Sequence, residues 1–99
     1  MTELQISEWK KKYTDIYEII IVNDEGIEFK TYFRKPDLKI LSASAKFAES
    51  DPIKSGLVLF DNCWLGGDEA VKSSDELKMS CLQELGKLFK IYQATVKKL

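Results

Sequence analysis

The side chains equipped for chemistry are few and poorly grouped. Histidine is absent from the 99 residues, which removes the usual general base at neutral pH and the commonest metal ligand. Cys63 and Cys81 stand beside Trp64 and Leu65, and beside Met79 and Leu82. Apolar surroundings raise a thiol pKa, so both read as inert buried cysteines rather than nucleophiles. They are too far apart for a CxxC site and too few for a disulfide framework. Free thiols of this kind suit a reducing cytoplasm.

Carboxylates give no stronger signal. Asp61 to Lys72 places Gly66 where a calcium loop needs it, but Cys63, Leu65 and Lys72 occupy ligand positions, so the match fails. Asp24-Glu25 and Asp68-Glu69 sit in expected turns, where nothing would push two pKa values apart for acid–base work. No GxGxxG or GxxxxGK[ST] loop is present, so no phosphate cradle is expected. The reading is a non-enzymatic chain with no cofactor and no metal.

Other residue types point to contacts rather than reactions. Arg34, the one arginine, precedes Lys35. It is either a planar fork for a carboxylate on a partner or neighbouring element, or an exposed charge at a strand end. Trp9 reads equally as core or interface, and Trp64 as a core residue able to anchor a contact. Lys10-Lys11-Lys12 reads as a solvated helix face.

The elements that must hold these residues follow from periodicity. A hydrophobic share of 44% with 31% charged residues describes one globular domain over 1–99. A net charge of -1 argues against a nucleic-acid partner. The charge is blocked, with -3 over 14–34, -3 over 51–78 and +3 over 79–99, a pattern that would favour attraction within or between chains. The longest aliphatic run, Ile19 to Val22, is far short of the ~20 residues of a membrane helix. Met1 to Lys12 lacks the apolar run of a signal peptide.

Residues 1–14 form an arm or short helix, and 15–35 a β-hairpin turning at Asn23-Asp24-Glu25-Gly26. Ile27, Phe29, Thr31 and Phe33 share one face, joined by Tyr17, Ile19 and Ile21. The opposite face, with Ile20, Val22 and Tyr32, is a candidate for cover by another subunit. Residues 36–99 are helical. One helix spans 37–49, with Leu38, Leu41, Ala45 and Ala48 inward. A second starts at Asp51-Pro52, carries Ile53, Leu57, Phe60 and Trp64, and stops at Gly66-Gly67. A capping box of Ser73 and Glu76 opens the last helix. Its stripe, Leu77, Cys81, Leu85, Leu88, Tyr92, Val96 and Leu99, with Leu82 and Phe89 beside it, continues to the C-terminus and approaches ~36 Å. The expected class is α+β: an N-terminal hairpin packed on three to four helices, with a long amphipathic C-terminal helix that invites a homo-oligomer.

The order of these features resembles the small tail assembly chaperones of long-tailed bacteriophages. Tyr32-Phe33-Arg34-Lys35-Pro36-Asp37, then Asp51-Pro52-Ile53, then Leu57 to Trp64 with Leu65-Gly66-Gly67-Asp68, and a closing amphipathic helix carry the likeness over residues 15–99. It implies a cytoplasmic protein that coats a helical tape-measure client, keeps it soluble and self-associates. Arg34, Phe60, Trp64, Phe89 and Tyr92 are the candidate protein-binding residues. The competing expectations are a small regulatory or inhibitory binding module and, more remotely, a carboxylate-only enzyme.

Overall fold

In the computed structural model, the described residues are 3–13, 15–88 and 94–99. Helix α1 covers Glu3–Lys12. Strands β1 (Ile16–Val22) and β2 (Glu28–Arg34) pair antiparallel, with Ile16 opposite Arg34 and Val22 opposite Glu28. Asn23 closes the turn: its side-chain oxygen accepts from the backbone N–H of Glu25 (3.0 Å) and Ile27 (2.9 Å), while Gly26 takes φ +80°. The expected hairpin is therefore present. Ile19, Ile21, Thr31 and Phe33 are buried on its inner face, although Ile27 at the turn stays exposed.

The outer face is not left wholly to another subunit. Tyr32 is buried there. Its hydroxyl donates to Glu18 Oε2 at 2.6 Å, and Trp9 of α1 lies against its ring at 5.7 Å. An arm without buried residues of its own thus covers one end of the sheet, leaving Ile20 and Val22 uncovered.

Helix α2 (Leu38–Ala45) is capped by Asp37, whose carboxylate accepts from Ile40 N at 2.8 Å. It ends earlier than expected, and its inward phase differs. Ile40 and Ser44 are buried, while Leu38 is 81% exposed and Leu41, Ala45 and Ala48 face solvent. The sequence offers two apolar phases there, and a polar tie decides between them. Ser44 Oγ bonds to Ser55, and Ser55 Oγ donates to Ser44 O at 2.8 Å.

Helix α3 (Pro52–Cys63) begins at Asp51, which accepts from Lys54 N at 3.1 Å, with proline in the first turn. It buries Leu59, Phe60 and Cys63. Ile53, expected inward, is exposed. The chain then does something the glycine pair concealed. Trp64–Gly67 is a third strand, β3, antiparallel to β2 in the order β1-β2-β3. Gly67 adopts φ +131°, and a Cβ there would overlap Lys30 O and lie 2.7 Å from Thr31 Cα. Glycine is required because the backbones meet so closely.

A single turn, α4 (Ala70–Ser73), leads to α5 (Asp75–Leu88). Its opening bond is made by Ser74, whose Oγ accepts from Leu77 N at 3.4 Å, and not by Ser73. Cys81, Leu82 and Leu85 are buried. The continuous helix to the C-terminus is not found: residues 94–99 are non-helical and Val96 is 99% exposed. β-branched Thr95 and Val96 favour helix weakly, and no packing offsets the cost of ordering them.

The core joins one sheet face to α3, α4 and α5 through Ile19, Ile21, Phe33, Phe60, Val71 and Leu85, with both cysteines. The cysteines are free and buried. No helix among the described residues is long and apolar enough to cross a membrane.

Candidate functional site

Helices α3 and α5 pack together and leave an apolar groove between them. Gly56 sits against Leu82: a Cβ on Gly56 would lie 3.5 Å from that side chain. Ile53 and Ser55 on one wall face Met79, Gln83 and Gly86 on the other, with Leu59 and Leu82 between. The groove holds about 280 Å³, is open along one side, and has no ionisable side chain in its lining. Ile53 is 53% and Met79 41% exposed. Methionine adapts its three rotatable bonds to differing partners, and the absence of charge removes the cost of desolvating an ion when the groove is covered. The lining is apolar apart from Ser55 and Gln83.

Two caps place the walls, Asp51 with Pro52 for α3 and Ser74 for α5. Ser55 lines the groove and also bonds to Ser44, which fixes α2 beside it. Ile53, Ser55, Gly56, Met79 and Gln83 were not among the expected binding residues. Gly56 carried the available signal: an interior helix glycine costs about 0.5–1 kcal/mol against alanine, and here it leaves room in the groove beside Leu82.

The expected binding residues are dispersed. Phe60 lies in the core, edge-on to Phe33 at 5.5 Å and tilted against Trp64 at 5.3 Å. Trp64 is half-buried and edge-on to Phe33 at 5.6 Å. Lys72 lies over Trp64 (4.7 Å) and Lys78 over Phe60 (5.2 Å), so cations already occupy these ring faces. Arg34 Nε donates to Asn62 O at 3.3 Å and its guanidinium rests over Tyr13 at 5.2 Å. The structure thus brings Phe60 and Trp64 together and directs Arg34 into its own chain. Phe89 and Tyr92 lie outside the described residues.

The candidate chemical groups serve the fold. Asp68 accepts from Lys30 N at 2.7 Å and returns its own N–H to Lys30 O at 2.9 Å, pinning the end of β3 to β2. Glu69 pairs with Lys72 at 3.8 Å, and Asp24 and Glu25 are exposed. Burial pushes the Cys63 and Cys81 thiols up to about 11. The hydrogen bond to Glu18, with burial, pushes Tyr32 up to about 12. None of these three groups ionises near neutrality. Among the described residues, no group of three or more His, Cys, Asp or Glu is placed to hold a metal ion.

The fold has a solved counterpart. The chain is similar to uncharacterised protein rbstp2171 from Bacillus stearothermophilus, with a TM-score of 0.65 and 27% sequence identity over 94% of this chain and 99% of that one. The likeness therefore runs through the sheet and the helices alike. No protein-family model matches the sequence, and no curated protein matches it.

Proposed function

We propose that this chain is a non-enzymatic protein-binding module that shields the apolar stripe of a helical client, in the manner of a phage-type tail assembly chaperone acting on a tape-measure protein in the bacterial cytoplasm. The observation that carries the reading is the uncharged groove between α3 and α5, with Ile53 and Met79 at its mouth. An amphipathic helix docks by laying its apolar face into such a groove. The feature order from Tyr32 to Asp68 supports the chaperone assignment within that class.

Co-expression with tape-measure segments, followed by pull-down and by the soluble fraction of the segment, tests the proposal. The expected result is a soluble complex that Met79→Asp weakens at least tenfold while the melting profile is kept. Failure to bind any tape-measure segment, with both chains soluble, overturns the chaperone assignment.

A further inference from the structure

The sheet ends at β1, and the way it ends is self-complementary. Among the described residues no strand lies beyond β1. Backbone bonds from Asn23 N to Ile27 O (3.0 Å) and from Lys35 N to Asp15 O (3.2 Å) bracket the hairpin. In an antiparallel pair, hydrogen-bonded positions alternate. Tyr17, Ile19 and Ile21 therefore bond to β2, and the backbone N–H and C=O groups of Ile16, Glu18, Ile20 and Val22 point away from the sheet.

Exposed edges are normally blunted by proline, lysine, a bulge or a covering element. β1 runs Ile-Tyr-Glu-Ile-Ile-Ile-Val, without proline or lysine and in unbroken register with β2. Its single charge, Glu18, is engaged by the Tyr32 hydroxyl of its own chain. Ile20 is 46% and Val22 58% exposed, beyond the reach of Trp9 on Tyr32.

We infer that β1 pairs antiparallel with β1 of a second copy of this chain, joining two sheets into one of six strands. One register satisfies the edge. Ile16 faces Val22 of the second copy and Glu18 faces Ile20, with the two-fold axis at Ile19. All four outward residues then lie in hydrogen-bonded pairs, giving about eight new bonds along a strand of about 23 Å. Slipping toward the N-terminus would set Glu18 against Glu18, an unfavourable like-charge pair. A net charge of -1 per chain offers little long-range repulsion to the encounter. Because facing residues share a sheet face, the axis is perpendicular to the sheet. The α3/α5 grooves of both copies then lie on the same side.

Light scattering on the full chain from micromolar to millimolar concentration tests the inference. The expected mass is twice 11.4 kDa. Ile20→Pro removes an outward N–H without touching the β1–β2 bonds, and proline is tolerated where an edge N–H faces solvent. Ile20→Glu opposes two carboxylates across the axis and leaves the backbone unchanged. Each variant should weaken the dimer at least tenfold. Ile20→Glu should keep the monomer's circular dichroism and its client binding, which separates this surface from the groove. A chain that stays at 11.4 kDa throughout, or a dimer unmoved by either variant, overturns the inference.

Discussion

Ser44 and Ser55 each donate to the other's backbone carbonyl, at 2.9 and 2.8 Å, with their hydroxyl oxygens 2.8 Å apart. The exchange joins α2 to α3 where Ser44 is buried. A hydroxyl lost from one side removes one of the two exchanged bonds and the contact between the hydroxyls. Ser44→Ala should therefore cost about 0.5–1.5 kcal/mol in urea denaturation. The Ser44→Ala/Ser55→Ala pair should cost less than the two single changes added, because either change alone already removes the hydroxyl–hydroxyl contact. Strict additivity would contradict coupling between the two hydroxyls.

Gly67 and Gly26 both take positive φ, yet they should differ on substitution. Gly26→Ala meets open space, so its cost is the backbone conformation alone, about 1–2 kcal/mol. Gly67→Ala adds a collision with Lys30 and Thr31. It should destabilise by more than Gly26→Ala and speed amide exchange in β3 selectively. Equal costs would show that β3 accommodates the methyl.

Gly56→Ala should behave in the opposite sense. The new methyl meets Leu82 at an ordinary 3.5 Å, while helix propensity improves by up to about 1 kcal/mol. The expected outcome is a higher melting temperature. A bulkier Gly56→Leu should fill the groove and lower client affinity, read by titration calorimetry.

Stability should fall on the alkaline side. Cys63 and Cys81 move from 9.0 unfolded to about 11 folded, and Tyr32 from 10.0 to about 12. The native state holds these protons more tightly, so their contribution is complete below pH 9. It is lost from pH 9 to 11 for the thiols and from 10 to 12 for Tyr32. Tyr32→Phe should remove the later part of the decline. At neutral pH an aromatic disulfide reagent should label neither thiol in the native chain and both after unfolding. Rapid native labelling would refute this burial.

How legible these features were depends on the range of the interactions that make them. The hairpin was readable because Asn23 and Gly26 act within a few residues and the alternation on β2 is strong. The starts of α2 and α3 were readable because Asp37 and Asp51 cap locally. The phase of α2 was not, since Ser44 is held by Ser55 on another helix. β3 was hidden because Gly66-Gly67 carries no strand propensity, and its partner β2 is remote in sequence. The last helix was overextended because apolar spacing continues to Leu99, while helix over 94–99 would need packing that those residues lack. The candidate site followed the same rule. Aromatic residues drew attention to Phe60 and Trp64, whereas the groove is defined by Gly56 meeting Leu82 across two helices.

Cys63, the last residue of α3, is followed directly by Trp64, the first of β3. With no intervening loop, α3 and the sheet behave as a single lever: α3 cannot tilt without dragging β3 against β2. The α3 wall of the groove is thereby tied to the sheet, and under the proposed function the ordering cost of association falls on the client helix.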